Sequence, residues 1–392
     1  MVYVRQTIVR GARLVRVLGR ESDTYAGANR MSYMNNCRNG EDRGAKVGND
    51  ESKPGHTRKR RSLLYIIPGN PGESCFYIDF GREIVDHVRK LSDGGELCEV
   101  HSLGHINHTD TKSIFQTEHG TTQVPSTISI IGLREQVHHH ATYLKDIIWS
   151  KSSKISGSLR EQNEEMTSPD YDRIIIVGHS IGAWIAMEAW KSIKTNEQEL
   201  CVPSTSVAHL IMLMPFLETD FRQSQQKFIA TIASSWFCRG ITGFLVFLIR
   251  WILPTFWLRE RVASIFLSSA MTSSSVAFVA RTILENPYFV LNALYMAKEE
   301  FEDLAKPSWR DFIHSFNSGQ LSIDALSCLY CPNDPWAPFS LMEQVKTKCN
   351  SYDNNRGPFD ISYNDAVSHG FCTNDSQTAI VAEWIANKLV QS

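Results

Sequence analysis

The sequence lacks an excess of charge of either sign. Its 392 residues include 40 Lys and Arg against 42 Asp and Glu, which gives a formal net charge of −2. Proteins that bind nucleic acids neutralise phosphates with a surplus of basic side chains. We therefore expect no nucleic-acid partner, while the 42% of hydrophobic residues is enough for a large core.

The chain also lacks the cysteine spacing of a disulfide-stapled domain. Its nine cysteines are scattered and odd in number, which favours reduced thiols in a cytosol-facing protein. Cys328 and Cys331 form one CxxC pair, but a zinc site needs four ligands and a second pair at suitable spacing is missing. We expect both cysteines to lie along a buried strand, and we expect neither a metal nor a cofactor.

Acidic residues are missing from the first 20 positions, which contain five arginines. That charge pattern is typical of a transit peptide, although the apolar run of a secretory signal is lacking. Serines are also absent, and Val and Ile alternate with polar residues, which favours an edge strand. The polar residues 21–61 indicate a long or disordered insertion, whose basic end (57–61) we expect to be a solvated loop.

Strand and helix patterns alternate in residues 62–216 and again in residues 321–392. This alternation is typical of a mostly parallel sheet covered by helices on both faces. Strand patterns stop between these parts, so residues 217–320 are predicted to be a helical insertion. The sequence thus predicts one α/β core in two parts, with an N-terminal strand and polar insertion (1–61) and a helical cap. Residues 150–171 indicate a second loop insertion.

The motif GHSIG, residues 178–182, stands between an apolar strand pattern and a helical pattern. This context is typical of a nucleophile elbow, the sharp turn that presents a serine hydroxyl. The N–H groups at the start of the helix would face a developing oxyanion. Ser180 is therefore the candidate nucleophile, and an ordinary turn with a capping serine is the alternative.

A serine nucleophile needs a histidine base, and elbow enzymes place Ser, acid and His in that order along the chain. His369 is the only histidine after residue 314, and it precedes the last helix pattern. Asp334 follows a buried strand pattern, so it is expected at the same sheet edge as Ser180. Asp360 and Asp365 remain alternative acids because they are close to His369 in sequence.

The motif PGNPG, residues 68–72, follows an early strand pattern, where the second oxyanion donor of such a site is expected. Pro71 has no N–H group, so the candidate donors are the N–H groups of Asn70 and Ile181. A simple tight turn is the alternative.

Three consecutive histidines, residues 138–140, occur in a helical pattern. Consecutive helix positions point in different directions, so the three rings cannot chelate one ion together. We expect a partly exposed helix face.

Residues 241–258 are the most apolar stretch, and their 18 residues just reach membrane-spanning length. Arg250 near the centre and Pro254 argue against a spanning helix. We expect an embedded hairpin or an interfacial helix; a cap helix packed on the core is the alternative. The candidate lipid-contacting residues are Phe244, Phe247, Trp251, Phe256 and Trp257.

Together, the segments IIPGNPGESCFYIDF, LGHINHT, LREQVHHH, IIIVGHSIGAW, PNDPWAP and SHGFC resemble the lipid droplet-associated hydrolases, serine hydrolases of the α/β-hydrolase fold. The resemblance covers residues 62–392 apart from 150–171, and the insertion at 21–61 departs from the family pattern. It implies hydrolysis of neutral lipid esters, such as sterol esters or acylglycerols. It also implies location at lipid droplets and the cytosolic face of the endoplasmic reticulum membrane. The alternative is a droplet-binding protein of the same fold with little catalytic activity.

Overall fold

A computed structural model gives the fold of most of the chain. It describes residues 2–9, 12–19, 59–108, 130–149, 171–200, 207–253, 256–267, 271–272, 275–277, 279–280, 287–351 and 358–391. The two predicted polar insertions, 21–61 and 150–171, lie outside the described residues except for residues 59–61 and residue 171.

Eight strands form one sheet in the order β1-β2-β4-β3-β5-β6-β7-β8. The strands are β1 (Val2–Val9), β2 (Ala12–Gly19), β3 (Arg60–Ile67), β4 (Glu96–Leu103), β5 (Arg173–His179), β6 (His209–Leu213), β7 (Leu326–Tyr330) and β8 (Phe359–Tyr363). β3 to β8 are mutually parallel, whereas β1 and β2 are antiparallel to their neighbours. The predicted α/β-hydrolase fold, with a mostly parallel central sheet, is confirmed.

Besides the helical residues 275–277 and 279–280, ten α-helices connect and cover the strands in the described part of the chain. They are α1 (Ile78–Leu91), α2 (Leu133–Trp149), α3 (Ile181–Leu200), α4 (Ser224–Ser234), α5 (Trp236–Ile252), α6 (Phe256–Leu267), α7 (Pro287–Asp303), α8 (Trp309–Asn317), α9 (Phe339–Asn350) and α10 (Asp375–Gln391). α1 packs with α10, and α2 packs with α3. Helices α4 to α8 follow β6 and precede β7, where the sequence predicts a helical cap.

The central strands are buried on both faces of the sheet. Ile174, Ile175, Ile176 and Val177 of β5 are at most 5% exposed. A parallel strand with helices on both sides has no polar face, so its sequence is continuously apolar rather than alternating. This is why the run before the GHSIG motif contains no charged residue after Arg173.

The N-terminal region differs from the prediction because it forms two strands rather than one. β1 and β2 pair antiparallel from Val2 opposite Gly19 to Val9 opposite Ala12, and β2 pairs with β4. The side chains of β2 are mostly buried, while those of β1 are mostly half-buried or exposed at the sheet edge. The sequence predicts a solvated loop for the basic run 57–61. Its last two residues instead belong to β3, which begins at Arg60.

A buried ion pair joins the starting ends of three neighbouring strands. Arg173 of β5 bonds to the Glu96 carboxylate of β4, and both side chains are more than 90% buried. The Ser62 hydroxyl of β3 donates to the same carboxylate and accepts from Arg173. Arg173 also donates to the carbonyl of Leu389 at the end of α10, 2.6 Å away. The group therefore fastens the last helix to the sheet.

Replacing Glu96 with alanine should destabilise the fold strongly, because it leaves the Arg173 guanidinium buried without its counter-charge. Removing one member of a buried pair costs about 3–5 kcal/mol. The matched control is Asp86→Ala, which breaks the exposed Arg89–Asp86 pair of α1 and should cost at most about 1 kcal/mol. Urea denaturation of both variants measures the difference; equal losses would contradict the structural role of the buried pair.

Candidate active site

Ser180 lies in a sharp turn between the end of β5 and the start of α3. Its φ of 57° is left-handed, a conformation that costs a non-glycine residue about 1–3 kcal/mol. A Cβ atom at Gly182 would overlap the backbone carbonyls of Ile67 and Pro68, and one at Gly178 would overlap the first turn of α3. Both flanking positions therefore require glycine, which explains the motif sterically.

The three residues predicted as nucleophile, base and acid form one hydrogen-bonded chain. His369 Nε2 lies 2.9 Å from Ser180 Oγ, and His369 Nδ1 lies 2.8 Å from Asp334 Oδ2. Because a carboxylate can only accept, Nδ1 carries the proton and Nε2 is free to accept the serine proton. The side chains come from three different loops, so the fold rather than the local sequence brings them together.

Asp334 is built to remain a carboxylate. Burial by itself would raise its pKa, but the hydrogen bond and charge of His369 and the N–H groups of Trp336 and Ala337 together hold that pKa below its usual value. These two N–H groups donate to Oδ1 at 2.9 and 3.2 Å. The Cys331 thiol lies 3.5 Å from Oδ2. The turn PNDPWAP thus holds the acid by its backbone and aims one oxygen at the histidine.

The alternative acids occupy other environments. Asp360 lies on β8, where it accepts hydrogen bonds from the Ser362 hydroxyl and from Lys388 Nζ, both 3.0 Å away. Asp365 lies in the loop after β8. The pKa of Tyr363 is raised first by burial and then by the nearby charge of Asp365. Of the three carboxylates, Asp334 is the one that accepts a hydrogen bond from His369 Nδ1–H.

The loop 68–72 lies directly against the serine. A Cβ atom at Gly69 would come 2.9 Å from the Ser180 Cβ atom. The Asn70 side chain points toward the cap, because its Nδ2 donates to Ala293 O and to Glu300 Oε1 of α7, both at 2.9 Å. The Ile181 N–H is the first of α3, so the helix offers it no acceptor. The backbone N–H groups of Asn70 and Ile181 stay the predicted oxyanion donors.

Glu300 was not singled out by sequence reasoning, although it anchors the cap to this loop. Burial raises the pKa of its carboxyl to about 8, even though the Asn70 hydrogen bond opposes that shift. The group is therefore mostly neutral near pH 7 and can be buried without a counter-charge. Its neighbour Glu299 accepts a hydrogen bond from Leu133 N, 2.6 Å away at the start of α2. Two adjacent carboxyls of α7 thus fix this helix to the core.

Sequence reasoning also missed Tyr77 and His179, which lie beneath the serine turn. The Tyr77 hydroxyl is 2.6 Å from His179 Nδ1 and accepts a hydrogen bond from Gly69 N at 3.2 Å. His179 Nε2 is 2.8 Å from the carbonyl oxygen of His369. Burial, followed by the proximity of His369, lowers the pKa of His179 to about 3. The second position of G-x-S-x-G carries no fixed chemistry, so the motif itself gave no signal for this residue.

The triple histidine agrees only in part with the predicted partly exposed helix face. Only His138 is exposed, whereas His139 and His140 are buried. His140 bonds through Nε2 to His105 Nδ1 at 3.0 Å and through Nδ1 to the Tyr65 hydroxyl at 2.7 Å. The loop after β4 covers this side of α2, and no helix pattern reveals such a neighbour. Within the described ranges, no group of His, Cys, Asp and Glu has the geometry of a metal site.

An apolar face extends over α5 and α6 of the cap. Its members are Trp236, Phe244, Phe247, Trp251 and Trp257, whose residues are 56–78% exposed. The opposite side of α5 packs on α7, where Gly243 allows close contact with Leu291. The side chain of Phe256 lies outside the described residues. The predicted lipid-contacting aromatics that are described therefore point away from the protein core.

In the described part of the chain, no single helix is long and apolar enough to cross a membrane. Ser224–Ser234 and Trp236–Ile249 reach that length and apolar composition only as a pair, which is bent by 90°.

The chain is similar to several known proteins. It is 23% identical to the lipid droplet-associated hydrolase of Mus musculus over 86% of this chain and 87% of the mouse protein. The human protein of the same name is 24% identical over 85% and 86% of the two chains, and that of Dictyostelium discoideum is 24% identical over 84% and 89%. A putative epoxide hydrolase from Pseudomonas aeruginosa, 10% identical, covers 100% of this chain and 96% of its own with a TM-score of 0.49.

A family model described as lipid-droplet associated hydrolase matches residues 60–372. That match begins at β3 and includes the serine turn, the cap, Asp334 and His369. The chain therefore belongs to the lipid-droplet associated hydrolase family.

Proposed function

We propose that the chain is a serine hydrolase that cleaves carboxylic esters of neutral lipids at the surface of lipid droplets. The observation that carries the proposal is the continuous chain of hydrogen bonds from Ser180 through His369 to Asp334. It occurs at a strand–turn–helix elbow, in a member of a hydrolase family. In this proposal the protein's own side chains supply the chemistry, without a cofactor.

The reaction begins when His369 Nε2 takes the proton of Ser180 Oγ as the oxygen attacks the ester carbonyl. Asp334 holds the proton on Nδ1 and stabilises the imidazolium that forms. The carbonyl oxygen becomes an oxyanion between the N–H groups of Ile181 and Asn70. His369 then gives its proton to the leaving alcohol, which leaves the acyl group on Ser180.

A water molecule completes the cycle by the same route in reverse. His369 Nε2 accepts a proton from water, and the hydroxide attacks the acyl carbonyl. Collapse of the second tetrahedral intermediate returns the proton to Ser180 and releases the fatty acid. Each step moves one proton between Nε2 and an oxygen, so the same geometry serves acylation and deacylation.

The surroundings of the serine favour an apolar substrate. Phe216, whose N–H donates to Ser180 O at 3.2 Å, packs edge-on against Phe301 of α7 and Trp336 of the acid loop. Ser180 itself is only 8% exposed. An ester with long hydrocarbon chains gains free energy where water is excluded in this way, which supports neutral lipid esters such as sterol esters or acylglycerols.

The apolar face of α5 and α6 supports a position on the lipid surface. Exposed tryptophans and phenylalanines gain free energy by entering the boundary between headgroups and acyl chains. Large contiguous apolar patches on protein surfaces mark interaction sites. The relatives are named for their association with lipid droplets. We propose droplets and the cytosolic face of the endoplasmic reticulum membrane as the locations, because both offer such a boundary.

A second candidate function is suggested by the same apolar face. A protein that coats and organises droplets would need this face but no reactive serine. An active-site fluorophosphonate modifies only an activated serine. The hydrolase function therefore predicts labelling, whereas the coating function does not require it.

Ser180→Ala should abolish fluorophosphonate labelling and ester hydrolysis while preserving the fold, since removing the Oγ atom removes the nucleophile. Mass spectrometry should locate the label on Ser180 in the wild type, and circular dichroism checks the fold. Ser376→Ala, which removes an exposed hydroxyl at the start of α10, is the control and should retain labelling. Labelling of folded Ser180→Ala at the wild-type level would contradict the assignment. A folded wild type that neither takes the label nor hydrolyses esters would favour the coating function.

Asp334→Asn should lower kcat by roughly 10⁴-fold, because an amide cannot hold the His369 tautomer or stabilise the imidazolium. Combining it with Ser180→Ala should add little to the effect of Ser180→Ala alone, since the residues act as one unit. Asp360→Asn is the matched control and should change kcat little. The reverse ranking of the two Asn variants would show that the acid is misassigned.

Replacing Phe244, Phe247, Trp251 and Trp257 together with serine should release the chain from lipid droplets. Each substitution removes an aromatic side chain that is largely exposed to water in the free protein, so folding should be affected little. Flotation with artificial triacylglycerol droplets measures binding, and a soluble short-chain ester measures the catalytic core. The control replaces Tyr3 and Phe339, which are 56% and 61% exposed outside the cap, and should remain bound. Unfolding of the fourfold variant, with binding retained, would show that the face serves packing.

A further inference from the structure

We propose that Tyr77 and His179 are positioning residues that hold the two loops of the active site in register on either side of Ser180. One loop carries His369 and the other carries Gly69 and Asn70. The inference rests on the proposed hydrolase function, but it concerns two buried side chains that have no part in the proton transfers described above.

The protons of this chain can be assigned by elimination. The carbonyl oxygen of His369 can only accept a hydrogen bond, so His179 Nε2 must carry a proton. Burial lowers the pKa of His179 to about 3, so its ring is neutral and Nδ1 has no proton. The Tyr77 hydroxyl therefore donates to Nδ1 across 2.6 Å.

The Tyr77 oxygen then accepts a hydrogen bond from the loop beside the serine. Gly69 N–H donates to it at 3.2 Å. Burial holds the pKa of Tyr77 well above its usual value, so the hydroxyl keeps its proton. The result is a directional chain from Gly69 N–H through Tyr77 and His179 to the carbonyl of His369.

One end of this series of hydrogen bonds is the backbone carbonyl of the predicted base, His369. The other end is the backbone N–H of Gly69, which precedes the predicted oxyanion donor. Fixing the His369 carbonyl limits how far its ring can move from Ser180, and the rings of His179 and His369 also pack 5.2 Å apart. Fixing the Gly69 N–H sets the position of the next N–H in the chain, that of Asn70. The series of hydrogen bonds therefore connects the base, His369, to Gly69, the residue that precedes the predicted oxyanion donor Asn70.

The same contact could serve stability alone, and the fold contains a matched control for that possibility. Tyr65 is also fully buried, and its hydroxyl bonds to His140 Nδ1 at 2.7 Å. This Tyr–His bond lies on β3 and α2, and it reaches neither His369 nor Gly69. Tyr65→Phe and Tyr77→Phe thus remove similar hydroxyls from similar surroundings.

The test compares melting temperature, kcat and KM of the two full-length variants on a soluble short-chain ester. Both should lose melting temperature to a similar degree. Tyr77→Phe should also lower kcat by about 10- to 100-fold with KM changed less than about twofold, the penalty for a misplaced catalytic group. Tyr65→Phe should keep kcat within about twofold. If Tyr77→Phe also stays within that range, or if both variants lose kcat equally, the positioning role is wrong.

Variants of His179 give an independent measurement if Tyr77→Phe does not fold. His179→Gln retains an N–H donor that can reach the His369 carbonyl, whereas His179→Leu does not. The glutamine variant should therefore recover at least about tenfold in kcat over the leucine variant; equal kcat values would overturn the inference. An inactive and unlabelled wild type would instead overturn the proposed function itself, so the two failures can be told apart.

Discussion

The close approach of α3 to the end of β3 is the constraint on which the site depends. At Gly182 the helix backbone lies so close to the carbonyls of Ile67 and Pro68 that a Cβ atom would overlap them, and Ser180 just before it is left-handed. The strain of about 1–3 kcal/mol is offset by the burial of β5 and of the first turn of α3, which are almost completely buried. The backbone of the serine turn therefore cannot relax without disturbing this packing.

The cap is attached to the core and to its surroundings by different kinds of interaction. α7 is joined to the core by polar contacts, including Asn70–Glu300 and Arg134–Asp303. α5 packs on α7 with one side and leaves the other side apolar and exposed. A lipid surface bound by α5 would therefore be one helix away from the loop that lies beside Ser180.

Sequence reasoning was effective where the chemistry requires particular residues at particular strand ends. Ser180 and His369 followed from a motif and from chain order, and Asp334 was preferred because the carboxyl ends of parallel strands meet at one edge. The structure places Asp334 Oδ2 2.8 Å from His369 Nδ1, and its role as the acid stays a prediction. The second strand of the N-terminal hairpin was missed because alternating Val and polar residues continue through both strands.

Tyr77 and the buried histidines could not be predicted from pattern, because their surroundings come from distant parts of the chain. Tyr77 and His179 are separated by 102 residues, and Tyr65 and His140 by 75. An isolated tyrosine or histidine in an apolar segment gives no indication of which polar group it will meet. Such pairs become visible only when the strand order is known.

The strand directions also determine where new sequence can enter the chain. β2 ends and β3 begins at the strand ends opposite Ser180. The connection from α2 to β5 returns to the same end of the sheet, because β5 also begins there. The described residues that flank both long polar insertions therefore lie at the ends of the strands opposite Ser180. A domain or fluorescent tag grafted between β2 and β3 would start from that end of the sheet. The fold thus separates the strand ends that carry the serine, the acid and the base from the strand ends at which the chain has become longer.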